Sequence, residues 1–173
     1  MDAKRFFGAV LFAVAIAAPS PGGAAGGDPL AALAVYAGTW RLHIDHVRTE
    51  FSRARAETMI VKNVCWRSTD YYACNQIVDG NSAALVVFTH APDAKQYTST
   101  TIVPNGAPHT GSLAIDGATW TYPWQETDAK GKLVYLRVVN TFTGPGAIAY
   151  RQEFSRDKRH WTVTARGLET KQS

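Results

Sequence analysis

The histidines are the side chains of this sequence best suited to hold a metal ion or to move a proton. There are five of them, His43, His46, His90, His109 and His160. His43 and His46 are three positions apart, which on a strand places them on opposite faces, so they cannot share a metal ion without a bulge. The sequence contains no H-E-x-x-H, G-x-S-x-G, phosphate-loop or dinucleotide-binding motif. We therefore predict no metal site, no cofactor and no set of catalytic residues.

Pairs of carboxylates are the next chemical possibility, because neighbouring acids can divide general acid and general base roles. Asp45 with Glu50 and Glu126 with Asp128 are such pairs. They fall at the ends of predicted strands or on the polar side of the alternation. This placement predicts solvated surface carboxylates.

Two cysteines, Cys65 and Cys74, lie within the stretch CWRSTDYYAC. If residues 68–71 form a hairpin turn, the two cysteines face each other directly across two strands, on the same face and within bonding reach. We predict a disulfide between them; a pair of buried free thiols is the alternative. The spacing is not C-x-x-C, which disfavours a redox role.

The first 25 residues have the order of features typical of a secretory signal peptide. Lys4 and Arg5 precede the uncharged apolar run 6–18, and small residues continue from Ala18 to Ala25. The apolar run is shorter than the roughly 20 residues of a membrane span. We predict cleavage near Ala25, with Ala18 as the rival position, and a periplasmic or secreted protein. A retained membrane anchor is the alternative.

Charge and length limit what the mature chain can be. Removing the leader takes away Lys4, Arg5 and Asp2, which lowers the net charge from +4 to +3. The remaining positive charges form no dense stripe, so we predict no nucleic-acid partner. Because the apolar run of the leader is too short for a membrane span, we also predict no integral membrane segment. The length suits one domain, which we place at residues 28–170.

The elements that would position these residues are almost all strands. Asp28-Pro29 and Gly38 bracket a short helix, predicted over Pro29 to Ala37. Period-2 alternation then predicts ten strands, separated by turn signals such as Asn105-Gly106 and Asp116-Gly117. The predicted strands span 39–47, 55–66, 71–79, 83–90, 96–103, 109–115, 118–126, 132–143, 147–155 and 160–169.

Short connections join antiparallel neighbours, and closing the sheet on itself removes its edges. We therefore predict an all-β fold, an antiparallel up-and-down β-barrel of about ten strands with a short N-terminal helix. A two-sheet sandwich is the alternative. The apolar side of each strand should face inward: Trp40, Leu42 and Ile44 in the first, Trp120, Tyr122 and Trp124 in the seventh, Ile148, Tyr150 and Phe154 in the ninth, and Trp161, Val163 and Ala165 in the tenth.

Three polar residues, His46, Asn140 and Gln152, fall on the inward side of this alternation. A buried polar group needs a partner, which is either another side chain or a ligand. We predict that these three orient a small apolar or ring-bearing ligand inside an aromatic wall. The predicted ligand-binding residues are His46, Trp120, Tyr122, Trp124, Asn140, Tyr150 and Gln152. Tyr135 and Arg137 should lie outside the barrel.

Gly38-Thr39-Trp40, directly after the predicted helix, resembles the G-x-W motif of lipocalin and wider calycin barrels. In those folds this tryptophan closes one barrel end. Segments 65–80, 120–124 and 137–167 are similar to small exported bacterial proteins with lipocalin-like barrels, a family without an assigned activity. The resemblance covers most of residues 36–170 and implies a calycin-like barrel and export.

Three functions follow from these patterns. The first is an exported carrier that binds a small apolar ligand in the barrel. The second is a non-catalytic envelope or interaction protein with a filled core, for which Trp66 and Trp161 are the residues to inspect. The third is an enzyme that uses the barrel as its pocket, an isomerase, cyclase or hydrolase.

Overall fold

The computed structural model describes residues 28–92 and 94–172, so the predicted signal peptide lies outside the described residues. Ten strands follow a short helix in these ranges. They are β1 (Gly38–His46), β2 (Arg55–Arg67), β3 (Tyr72–Val78), β4 (Asn81–Thr89), β5 (Tyr97–Ile102), β6 (His109–Asp116), β7 (Thr119–Thr127), β8 (Leu133–Gly144), β9 (Ala147–Ser155) and β10 (Thr162–Gln172).

The strands form a closed barrel in which each pairs antiparallel with its neighbours in sequence, and β1 closes the circle by pairing with β10. The predicted up-and-down barrel is confirmed, and the two-sheet sandwich is excluded. Tight turns make this order possible. Between β3 and β4, for example, Asp79 and Gly80 both adopt positive φ, 48° and 82°, as a two-residue hairpin turn requires.

The helix is a 3₁₀ helix over Pro29–Tyr36, one residue shorter than predicted. Asp28 caps it by accepting a hydrogen bond from the backbone N–H of Leu30 at 3.0 Å. Arg67 binds the same carboxylate and is the main reason that its pKa is lowered. Leu33 and Tyr36 are buried in the core, so the helix plugs one end of the barrel. Within the described ranges, no helix is long and apolar enough to cross a membrane.

The predicted inward faces hold for most strands, but β10 is the exception. A register shift between Val163 and Ala165 places an extra residue in the strand, and the alternation changes sides there. Ala165 points inward, opposite Gln152. Trp161 precedes the strand and stacks under Arg137, whose guanidinium carbon lies 3.9 Å from the ring centroid. Val163 lies before the shift and pairs with Glu153 on the outer side of β9. The predictions that Trp161 and Val163 face inward are therefore wrong, while Arg137 lies outside as predicted.

Cys65 and Cys74 are directly paired across β2 and β3 and form a disulfide. The predicted hairpin geometry brings them together, with the Ser68 N–H bonded to the Tyr71 carbonyl in the turn.

Replacing both cysteines with alanine should lower the free energy of unfolding by about 2–3 kcal/mol, because a short loop would no longer be closed in the unfolded chain. Denaturant titration of the variant, and of the wild type with and without reductant, measures this. Reduced wild type should match the variant; a stability that reductant does not change would contradict the prediction.

Gly167 on β10 pairs with Ile44 on β1. A Cβ atom at this position would lie 2.3 Å from the carbonyl oxygen of His43, a backbone atom that cannot rotate away. Gly167→Ala should therefore destabilise the barrel by about 1–3 kcal/mol through overpacking. Gly144→Ala is the matched control, since nothing lies within 4 Å of its Cβ position. Equal melting temperatures for the two variants would contradict the expected clash.

Candidate functional site

The barrel interior is packed with aromatic rings at the end that the helix closes. Tyr36 stacks on Phe88 with centroids 5.3 Å apart and meets Trp120 edge to face at 5.5 Å. Trp120 in turn meets Phe142 at 5.3 Å. Trp40 is fully buried in the same cluster. These rings form the packed core at this end of the described barrel.

A second, smaller apolar cluster lies near the other end. Phe51, from the loop between β1 and β2, packs edge to face on Phe154 with centroids 4.7 Å apart. Arg156 lies over the Phe51 ring at 5.3 Å and bonds Glu50 at 2.8 Å and Asp128 at 2.9 Å. The loop is thus held against the barrel by one arginine between two carboxylates.

A cavity of about 330 Å³ lies along β5, β6 and β7. Its size is within the range of about 300–1,000 Å³ that small-molecule sites cover. The wall mixes aromatic, small and polar side chains: Ser99, Thr101, Val103, Ala107, His109, Gly111, Ser112, Tyr122, Pro123, Trp124, Gln125, Glu126, Val138 and Gln152.

The cavity exists partly because small residues lie opposite large ones. Ser99 and Gly111 are paired across β5 and β6 on the inward face. Continuing the β6–β7 register would place Gly111, which has no side chain, opposite Trp124, and both residues line the cavity. Ser99, Thr101 and Gly111 were missed as site residues in the sequence. All three are small residues on the inward-facing side of their strands, and this pattern could have identified them.

The barrel wall opens beside this cavity. β6 and β7 pair only at their hairpin end, from Ala114–Thr121 to Asp116–Thr119. Continuing this register would pair Leu113 with Tyr122 and then Ser112 with Pro123, and proline has no N–H to donate to a ladder. The cavity is also lined by three residues that the strand alternation places on the outer side of the barrel, Ser112, Pro123 and Gln125. The cavity therefore reaches the surface through the gap between the two strands.

The buried polar groups around the cavity are mostly neutral. Burial, and next the negative charge of Glu169, raise the pKa of Tyr122 well above its ordinary value, so it stays a neutral phenol. Glu126 accepts a hydrogen bond from the Trp124 indole at 3.0 Å. Sequence reasoning placed Glu126 among solvated carboxylates, but it is half-buried and lines the cavity.

The structure divides the predicted ligand-binding residues into three groups. Tyr122, Trp124 and Gln152 line the cavity. A second group, Trp120, Asn140 and Tyr150, is buried inside the barrel. Asn140 on β8 lies directly opposite Trp120 on β7 and Tyr150 on β9. His46 is not in the cavity wall; its Nε2 lies 2.6 Å from the carboxylate of Glu57, which also binds Arg55 at 3.0 Å.

The described residues contain no group of three or more histidine, cysteine or acidic side chains that could hold a metal ion. The site is thus built from aromatic faces, hydroxyls, the amides of Gln125 and Gln152, the imidazole of His109 and the carboxylate of Glu126. Such a wall can bind and orient a small molecule by apolar contact and by a few hydrogen bonds.

Fold and site together define a ten-stranded antiparallel β-barrel with an internal cavity that opens through its side wall. The chain is similar to the crystal structure of Rv2717c from M. tuberculosis, with a TM-score of 0.51 and 14% identity, covering 84% of this chain and 99% of that one. No protein-family model and no curated protein matches the sequence. The likeness supports the barrel fold, and membership among lipocalin-like barrels stays a prediction.

Proposed function

We propose that this protein is exported and binds a small apolar or ring-bearing molecule in the cavity along β5, β6 and β7. The observation that carries the proposal is the combination of an unfilled interior of about 330 Å³ with an aromatic wall of Tyr122 and Trp124. A barrel that served only as a scaffold would gain stability from filling this space.

Two further features support the proposal. The gap between β6 and β7 offers a route from solvent that leaves the plugged end of the barrel undisturbed. The Cys65–Cys74 disulfide suits an oxidising compartment outside the cytoplasm, as does the predicted leader over residues 1–25.

Native mass spectrometry of the protein purified from its own host tests both parts of the proposal in one measurement. We expect a mass that lacks the first 25 residues and an additional small-molecule mass that disappears under denaturing conditions. Ligand-free mass in every preparation, together with no binding of any ring-bearing probe, would contradict ligand binding. A retained leader would contradict export alone.

A second candidate function, a non-catalytic interaction protein, is favoured by one observation. Val64 and Trp66 are 46% and 44% exposed and lie on the same outer face of β2. Adjacent exposed apolar side chains are a feature of contact surfaces. Light scattering of wild type and of Trp66→Ser would test it; self-association that the substitution abolishes would support this function.

A further inference from the structure

The cavity wall carries a buried hydrogen-bond donor that the protein leaves unused. Gln152 is only 2% exposed, and its Nε2 has no hydrogen-bond partner among the described residues. The same side chain lines the cavity. A buried donor without a partner is costly, so a ligand that supplies an acceptor here gains more than it would from a hydrogen bond in water.

A hydrogen bond from Tyr150 fixes the orientation of this amide. The Tyr150 hydroxyl donates to Gln152 Oε1 at 3.5 Å. Burial, and next the charge of Glu169, raise the pKa of Tyr150, so the phenol keeps its proton and remains the donor. The amide oxygen is therefore occupied by Tyr150, which leaves the NH₂ end for the ligand.

The charge of the wall restricts the ligand further. No lysine or arginine is among the described residues that line the cavity, whereas Glu126 is. His109 also belongs to the wall but is exposed at its position on β6. A carboxylate held at Gln152 would be taken out of water without a buried cation to pair with, which is unfavourable.

The size of the cavity sets the number of rings. A cavity of about 150 Å³ in a protein core accommodates one benzene ring. The space of about 330 Å³ here therefore accommodates two fused rings with a small substituent. Tyr122 and Trp124 provide aromatic faces against which flat rings can pack.

We propose that the cavity selects an uncharged molecule of about two rings that presents a hydrogen-bond acceptor, such as a ketone, to Gln152 Nε2, and that it discriminates against anions of the same shape. This inference rests on the proposed function, since it names the class of ligand for the same cavity.

Three naphthalenes of matched shape test the inference by isothermal titration calorimetry at pH 7.5. They are 2-acetylnaphthalene, which offers a neutral acceptor, 2-ethylnaphthalene, which offers none, and 2-naphthoate, which is an anion. We expect the ketone to bind about tenfold more tightly than the ethyl compound, because only the ketone accepts a hydrogen bond from the buried Gln152 amide. The naphthoate should bind more weakly than both.

Gln152→Leu removes the amide while keeping a side chain of similar size. It should abolish the preference for the ketone and leave the affinity for 2-ethylnaphthalene within about threefold of wild type. Binding of the ethyl compound also shows that the variant is folded; if Gln152→Leu does not fold, Gln152→Met replaces it.

The outcomes separate the two proposals. Binding of all three probes with equal affinity, tighter binding of naphthoate, or a ketone preference that survives the loss of the amide would overturn the inference and leave ligand binding intact. Failure of every probe to bind wild type would overturn the inference, and together with ligand-free mass in every preparation it would overturn the proposed function as well.

Discussion

Gly111→Phe is expected to reduce the affinity for 2-acetylnaphthalene about a hundredfold while leaving the barrel folded. A Cβ atom at residue 111 would meet Ser99 Oγ at 3.5 Å and the Pro123 carbonyl oxygen at 3.9 Å, which are ordinary contacts. The backbone at residue 111 therefore has room for a Cβ atom, and we expect the ring attached to it to occupy the cavity that Gly111 lines. Losing the burial of one aromatic ring costs a ligand about 1.5–3 kcal/mol, and each 1.4 kcal/mol is a factor of ten.

Thr110→Phe is the matched control for this substitution. Thr110 is the neighbouring residue on β6, but it is exposed and lies on the outer face, where its hydroxyl lies 3.5 Å from that of Thr100. The same ring added there should leave the affinity unchanged. If calorimetry gives the two variants the same affinity, the ligand does not occupy the cavity.

Trp40→Ala is expected to lower the free energy of unfolding by about 3–5 kcal/mol. Trp40 is fully buried at the plugged end of the barrel, directly opposite Val61 on β2 and Lys171 on β10. Removing the indole would leave a void that the closed wall cannot collapse to fill. Since a domain is stable by only about 5–15 kcal/mol, a large share of the stability would be lost.

Denaturant titration of Trp40→Ala beside Trp66→Ala provides the comparison. Trp66 is 44% exposed on the outer face of β2, so its truncation should change stability by about 0.5 kcal/mol or less. The two substitutions delete the same atoms, and only burial differs. A smaller loss for Trp40→Ala than for Trp66→Ala would show that Trp40 does not anchor the core.

Local patterns in the sequence were sufficient to predict the strands and their order. Period-2 alternation and turn residues act over a few positions, so each hairpin specifies its own register. The Cys65–Cys74 pairing follows from such a register, because the turn at 68–71 sets which residues face each other. Nine consecutive hairpins then leave two unpaired edges, β1 and β10, and closure of the barrel removes them.

The candidate site was predictable only in part. Tyr122, Trp124 and Gln152 were identified because they are large aromatic or polar residues on the inward-facing side of their strands. Ser99 and Gly111 were not, because a cavity is defined by side chains that are too small to fill it. Their smallness has meaning only when the residues across the barrel are known.

The sequence by itself determined the all-β fold, the strand order and the disulfide, since each depends on neighbours along the chain. Tertiary structure decided where the interior stays empty, where the wall opens between β6 and β7, and which way β10 turns at its bulge. These features depend on how side chains from strands far apart in sequence share one enclosed volume. Period-2 alternation says which side of a strand is buried, and it carries no information about how much of that buried volume is filled.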